Sequence, residues 1–176
     1  AAEALAKKFM PTISFINSLP PGSRTLFLGE ARTLYYTGHI VAPVVFDENP
    51  FDDIVRAAQT PEDIRDGLDT LGITHIYVNL GEIYRLQWSY AFRHAGRESG
   101  GYTALFDNDQ QRHHLSGFLA KYCKIVYPAL PSSPTNGALP KSRLDRELIY
   151  VLSHHDRKRP PRVPVQSFVY EIARGS

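Results

Sequence analysis

The sequence predicts an α/β domain: a Rossmann-like, three-layer open sheet that is mostly parallel and has antiparallel C-terminal edge strands. Three short apolar runs, over residues 25–28, 40–46 and 75–78, have the length and composition of strands. The third run is almost continuously apolar, which is typical of a parallel strand covered on both faces. A helical pattern directly precedes it, and alternation of strands and helices favours a parallel sheet.

The helix before the third strand has clear signals at both ends. Thr60 can accept a hydrogen bond from a free N–H of the first turn, and Pro61 stands where a missing N–H costs nothing. Glu62 and Asp63 place negative charge at the positive end of the helix dipole. Gly72 can end the helix in a left-handed conformation. The apolar residues at helical spacing, which predict the buried face, are Ile64, Leu68 and Leu71.

The rest of the chain is predicted to complete one domain. Residues 1–18 form an amphipathic N-terminal helix, interrupted near Pro11, and residues 19–176 form a single α/β domain. Pro43 in the second strand argues for an edge position or a bulge. Further helices are predicted over residues 50–58, 81–93 and 109–122, a fourth strand over 124–127, and an antiparallel strand pair at one sheet edge over 147–152 and 167–172.

Composition and charge exclude several classes of protein. Hydrophobic residues make up 43% and charged residues 22% of the chain, which is ordinary for a soluble globular protein and excludes global disorder. A formal net charge of +2 gives no electrostatic reason to expect nucleic acid as a partner. No run approaches the ~20 apolar residues that span a bilayer. The lone Cys123 excludes an internal disulfide, and its apolar neighbours predict a buried thiol.

Polar residues follow each of the first three predicted strands. Ligands of open α/β sheets collect beyond the carboxyl ends of the strands, so we predict a ligand site for a sugar or a cation where these ends meet. The same residue types also favour turns and helix caps, because they bond their own backbone. The predicted ligand-binding residues are Glu30, Arg32, Asp47, Asn79 and Glu82.

No motif commits the chain to a reaction, and we predict no catalytic residue, no metal ligand and no cofactor. Residues 28–32 contain one glycine where a dinucleotide fingerprint needs three. Ser116 lacks the surrounding glycines of a nucleophile elbow. His75 lies in an apolar strand and is predicted to be a core histidine. Adjacent histidines point in different directions, so an enzyme that combines both pairs with a metal is only a third hypothesis. The pairs are His113-His114 and His154-His155.

Two stretches resemble a known family of membrane proteins. They are LPPGSRTLFLGEAR over residues 19–32, followed by Tyr35-Tyr36, and LDTLGITHIYVN over residues 68–79. Both are similar to the soluble tail after the last membrane helix of multi-spanning, lipid-phosphate-sugar-dependent glycosyltransferases of the GT-C type. These enzymes are bacterial relatives of the dolichyl-phosphate-mannose protein mannosyltransferases. The similarity covers about residues 10–90.

The resemblance implies an accessory rather than a catalytic role. In that family the catalytic acid lies in a loop between membrane helices, which this chain does not contain, so no catalytic residue carries over. The implied function is a non-catalytic extracytoplasmic (periplasmic) domain that positions an acceptor or a partner. Its implied partners are the transmembrane portion of the same polypeptide, attached before residues 1–10, and a sugar or lipid-linked sugar. The alternative is a stand-alone α/β module that binds a sugar or nucleotide at the strand ends.

Overall fold

The computed structural model of the chain describes residues 11–30, 33–43, 49–84, 109–128, 140–153 and 167–174. These residues form a mixed α/β structure around one open, mixed, five-stranded sheet. The strands are β1 (Arg24–Leu28), β2 (His39–Val41), β3 (His75–Asn79), β4 (Cys123–Tyr127) and β5 (Ser167–Ile172). The helices are α1 (Pro11–Asn17), α2 (Pro50–Ala57), α3 (Pro61–Thr70), α4 (Asp109–Tyr122) and α5 (Lys141–Ser153), with a further helical segment over residues 80–84.

The order of the strands determines where a ligand can approach the sheet. The order is β2-β1-β3-β5-β4, with β1 parallel to both of its neighbours and β5 antiparallel to both of its own. From β1 the chain moves outward to β2, then crosses back to the other side of β1 to form β3. The carboxyl ends of β1 and β3 therefore flank the point where the direction of winding reverses, which is where open α/β sheets form a crevice.

The predicted boundaries of α2 and α3 are confirmed in detail. Thr60 Oγ1 accepts a hydrogen bond from the Asp63 N–H at 3.2 Å, and the Asp63 carboxylate accepts one from the Thr60 N–H at 2.9 Å. Gly72 follows α3 with a φ of 69°. Leu71 differs from the prediction, because it lies at the C-cap and is 37% exposed. Capping contacts within a few residues thus set the ends of α3. Its buried residues are Ile64 and Leu68, without the predicted Leu71.

The C-terminal part of the chain corrects the prediction. Residues 147–152, predicted to be a strand, lie within α5. Residues 167–172 form the predicted antiparallel strand, but β5 lies between β3 and β4 and not at the edge. The predicted edge position of the second strand is confirmed, since β2 is at the end of the sheet. Amphipathic spacing overrides the strand-like composition of α5, because its buried residues recur at i, i+4, i+7 and i+8. They are Leu144, Leu148, Val151 and Leu152.

The two faces of the sheet pack against different helices. One face carries Leu26, Ile76 and Phe168, which belong to the large hydrophobic cluster that includes side chains from α2, α3, α4 and α5. The opposite face carries a second cluster, in which α1 packs against the middle of the sheet. Its buried members are Ile16, Phe27, Tyr77 and Val169. Residues 1–10 and 85–93, which belong to predicted helices, lie outside the described residues.

Candidate functional site

The carboxyl ends of β1 and β3 bring together three of the five predicted ligand-binding residues. The Asn79 Nδ2 donates a hydrogen bond to Glu30 Oε2 at 3.4 Å, and the Asn79 Oδ1 accepts one from the Glu82 backbone N–H at 3.1 Å. Arg32 and Asp47 lie outside the described residues. Neighbouring strand ends therefore bring the side chains of Glu30 and Asn79 together, and Glu82 contacts Asn79 through its backbone; their role as ligand-binding residues stays a prediction.

A glycine makes this convergence possible. Gly29 leaves β1 with a φ of 83°, in the left-handed region that side chains avoid. A Cβ at this position would lie 2.4 Å from Ile83 Cγ1 and 2.7 Å from the Asn79 carbonyl oxygen. The chain after β1 thus passes directly against the end of β3 and the helical segment that follows it. Only a residue without a side chain allows Glu30 to be positioned beside Asn79.

A buried tyrosine extends the site across the face of the sheet that α1 covers. Tyr77 is 4% exposed and shares its sheet face with Asn79, two residues further along β3. Its hydroxyl lies within hydrogen-bonding reach of the side chains of Ser167, Asn79 and Tyr36. Burial, and secondarily the charge of Glu30, raises the pKa of Tyr77, while these hydrogen bonds oppose the rise. At neutral pH the hydroxyl therefore keeps its proton and remains both a donor and an acceptor.

Glu30 is the most buried of the three predicted ligand-binding residues that the structure describes. Glu30 is 8% exposed, and a carboxylate removed from water requires hydrogen-bond donors. The 3.4 Å contact with Asn79 is longer than an ordinary N–H···O bond of about 2.7–3.2 Å. A carboxylate has about four acceptor positions and can accept hydrogen bonds from several donors at once. The site thus combines a carboxylate, a side-chain amide and a phenol, which are suited to binding hydroxyl groups.

Sequence reasoning did not assign Tyr77 or Ser167 to this site, and it considered Tyr36 only as one of several aromatic residues that could stack on a carbohydrate. Tyr77 was accessible to prediction, because residues two apart on a strand share a face and Asn79 was already named. Ser167 was not, since its position opposite Asn79 depends on the pairing of β3 with β5. Tyr36 comes to the site from the segment that connects β1 and β2, and its aromatic ring packs on Phe27 at 4.7 Å between ring centroids. Ser167 is thus placed by pairing between distant strands and Tyr36 by packing on Phe27, and neither leaves a local pattern in the sequence.

Of the other residues considered for catalysis or metal binding, Cys123 and His114 lie in buried positions. The predicted burial of Cys123 is confirmed, and burial raises the pKa of its thiol. The imidazole of His114 is also buried, with Nδ1 3.2 Å from the Ala58 carbonyl oxygen, whereas His113 is exposed. His154 and His155 lie outside the described residues. Among the residues that are described, no group of three or more His, Cys, Asp or Glu side chains is arranged to hold a metal ion.

Comparisons with known proteins do not assign this chain to a family. No protein-family model, no curated protein and no solved structure matches the chain significantly. Within the described ranges, no helix combines the length and the apolar character needed to cross a membrane. The resemblance to the tails of membrane glycosyltransferases therefore stays a prediction, and the geometry at the strand ends carries the functional argument.

Proposed function

We propose that this chain is a non-catalytic binding domain that recognises a sugar through hydroxyl groups at the carboxyl ends of β1 and β3. The observation that carries this proposal is the buried Glu30 beside Asn79 and Tyr77, at the reversal point of the sheet. Each of the three side chains can bond a hydroxyl, and together they supply acceptors and donors in one place. A few converging polar groups of this kind fix the orientation of a small ligand.

The wider context of the domain is also a proposal. The resemblance of residues 19–36 and 68–79 supports an extracytoplasmic, periplasmic accessory domain of a membrane-bound, glycosyltransferase-like protein. There the bound sugar belongs to an acceptor or a lipid-linked donor, and the transmembrane portion of the same polypeptide is the partner. The strand order around the reversal point supports a Rossmann-like fold. In this role the domain positions its ligand, and the chemistry takes place elsewhere in the parent protein.

A stand-alone binding module is the second candidate. It is favoured by the composition of the site, in which Glu30, Tyr77 and Asn79 all come from this chain and need no other polypeptide. The two candidates differ in the coding sequence upstream of Ala1. Several apolar runs of about 20 residues there support the accessory domain, and a reading frame without them supports the module. Turnover of an activated sugar by the chain alone contradicts both.

A thermal-shift screen against mono- and disaccharides, followed by calorimetric titration, tests binding. At about 100 times its dissociation constant, a sugar should stabilise the chain by roughly 2.7 kcal/mol, a shift of several degrees. We expect Glu30→Gln and Asn79→Ala to abolish the shift at the same sugar concentration while the ligand-free variants remain folded. Asp69→Asn, which removes an exposed carboxylate from α3, is the matched control and should leave the shift unchanged. No shift with any sugar, or an equal loss in the control, contradicts the proposal.

A further inference from the structure

A second concave site lies at the opposite end of the sheet. A cleft of about 680 Å³ opens where β1, β3 and β4 begin and β5 ends, and it is lined by His75, Glu171 and Lys124. This volume is within the range of small-molecule sites, about 300–1,000 Å³. His75 and Asn79 are at opposite ends of β3, about 13 Å apart at ~3.3 Å per residue. The cleft is therefore separate from the hydroxyl-binding site around Glu30.

Strand pairing aligns three titratable side chains along one edge of the cleft. Glu171 of β5 is directly opposite His75 of β3 on one side and Lys124 of β4 on the other. Directly paired residues share a sheet face, so the three side chains form a row on the face that α1 partly covers. Arg174, two residues beyond β5, adds a second cation to the lining. The row thus presents one carboxylate between an imidazole and an ammonium group.

The charges of this row are not neutralised by one another. Among the described residues, Lys124, Glu171 and Arg174 form no ion pair within 4 Å, although Lys124 and Glu171 are direct cross-strand neighbours. Lys121, which also lines the cleft, differs because its Nζ lies 2.6 Å from Glu62 Oε1. Two cations and one carboxylate are therefore available to a ligand that brings groups of both signs.

His75 supplies the rigid, desolvated part of the cleft. The imidazole is 7% exposed, and its Nδ1 lies 2.8 Å from Thr74 Oγ1. Thr74 Oγ1 in turn accepts a hydrogen bond from the Arg24 backbone N–H at 2.9 Å, which fixes the ring relative to β1. Burial lowers the pKa of His75, an effect that Glu171 opposes and Arg174 reinforces. Near neutral pH the imidazole is thus uncharged, and within the described part of the chain Nε2 makes no hydrogen bond.

The remaining wall of the cleft is apolar. Phe15 and Leu19, from α1 and the turn after it, line the cleft together with Val126 of β4, and the three side chains pack in the same hydrophobic cluster. Phe15 is held in place by stacking on Tyr127, with ring centroids 5.0 Å apart. The cleft therefore offers an apolar surface next to a cluster of unpaired charges. This combination suits a ligand with a charged head and an apolar side chain.

We propose that the cleft binds a small zwitterion, namely an α-amino acid with an apolar side chain. Its carboxylate is bound by Lys124 and Arg174, and its ammonium group by Glu171. The apolar side chain lies against Phe15 and Leu19. A simple anion gains less, because Glu171 repels it, and a simple cation is repelled by Lys124 and Arg174. A zwitterion carries a partner for both signs of charge in the cleft.

Titration of the chain with leucine or phenylalanine, followed through the NMR signals of the histidine rings, tests this proposal. We expect saturable changes at the ring of His75. Sodium acetate and butylammonium chloride, which each carry one of the two charges, should bind at least about tenfold more weakly than leucine. The expected pattern distinguishes a zwitterion site from a site for either ion alone. The sugar site has its own probes and variants, so either proposal can fail without the other.

Two variants test whether leucine binding depends on the charged side chains of the cleft. Lys124→Met and Glu171→Gln should each weaken leucine binding about tenfold, because each removes a charge-assisted contact. Arg146→Met, which removes an exposed cation from α5, is the matched control and should change the dissociation constant by less than about twofold. Both test positions are exposed, so the variants should fold like the unaltered chain. The absence of saturable changes at His75, acetate binding as tight as leucine binding, or equal effects of all three substitutions overturns the proposal.

Discussion

Asp52 is a carboxylic acid whose surroundings strongly oppose its charge. It follows the N-cap Asn49 by three positions in α2, and its Oδ1 is buried without a hydrogen-bond partner. Burial raises the pKa of Asp52 from 3.8 to about 7, an effect that Arg56 opposes and Asp53 reinforces. A carboxylate near a helix N-terminus is ordinarily stabilised by the helix dipole, so desolvation dominates here. The folded chain consequently retains a proton that the unfolded chain releases.

Because the folded chain retains this proton, we expect its free energy of unfolding to fall as the pH rises. The folded pKa of Asp52 is above the unfolded value, so its contribution is complete below about pH 4 and is lost as the pH passes about 7. The free energy of unfolding should decrease by on the order of 3–4 kcal/mol over that interval because of Asp52. Asp52→Asn should remove this part of the pH dependence, as measured by urea unfolding at several pH values. Asp69→Asn, at an exposed position in α3, is the control, and equal slopes in all three chains contradict the assignment.

Helix α5 is the element that sequence composition predicted wrongly, and one carboxylate attaches it to the sheet. The hydroxyl of the fully buried Tyr170, in β5, donates to Asp145 Oδ1 at 2.6 Å. Lys141 Nζ donates to Asp145 Oδ2 at 2.6 Å and to the Leu119 carbonyl oxygen at 2.7 Å, which also connects α4. Burial raises the pKa of Tyr170, so the phenol remains a donor. Three elements thus meet at Asp145.

Tyr170→Phe should separate this hydrogen bond from the packing of the ring. The substitution keeps the aromatic ring and leaves Asp145 Oδ1 without its donor in a site that is 13% exposed. We expect a loss of about 2 kcal/mol in the free energy of unfolding, since hydrogen bonds to charged groups contribute about 1.5–3 kcal/mol. Tyr35→Phe, at a position 62% exposed, should change stability by less than about 0.5 kcal/mol. Equal urea midpoints for the two variants mean that the Asp145 contact does not stabilise α5.

At the scale of the whole molecule, the sheet joins two hydrophobic clusters into one structure. Alternate residues of β1 and β3 face opposite sides, so Leu26 and Phe27 belong to different clusters while they share one strand. Helix α1 contributes Ile16, which is 3% exposed, to the smaller cluster. Helix α1 therefore contributes directly to the core of the domain. Loss of either cluster exposes one face of every central strand.

Ile16→Ala tests whether α1 unfolds together with the sheet. Truncating a buried isoleucine should lower the free energy of unfolding by about 2–5 kcal/mol, and unfolding should remain a single transition. Leu34→Ala, at a position 91% exposed, is the control and should have little effect. Far- and near-ultraviolet circular dichroism should give coincident urea curves for each variant. A separate early transition in Ile16→Ala, or a midpoint equal to that of Leu34→Ala, indicates that α1 detaches independently.

Elements whose ends are set by neighbouring residues were predictable from the sequence. The capping box at Thr60 and the left-handed Gly72 act within a few residues of themselves, so α3 was located correctly. The meeting of Glu30 with Asn79 also followed from a general rule, because the carboxyl ends of parallel strands lie at one edge of a sheet. These features depend on backbone hydrogen bonding and strand direction, both of which leave local signals.

Other features depended on tertiary structure. Residues 147–152 have β-branched and aromatic side chains, and only burial against α4 and the sheet selects the helix. The insertion of β5 between β3 and β4 brings Ser167 to Asn79 at one end and Glu171 to His75 at the other. The sequence by itself determined the local caps, the strand-rich first half and the absence of a recognised catalytic motif. The tertiary structure alone decided which polar side chains meet, because pairing between distant strands is selected by the burial of the whole sheet.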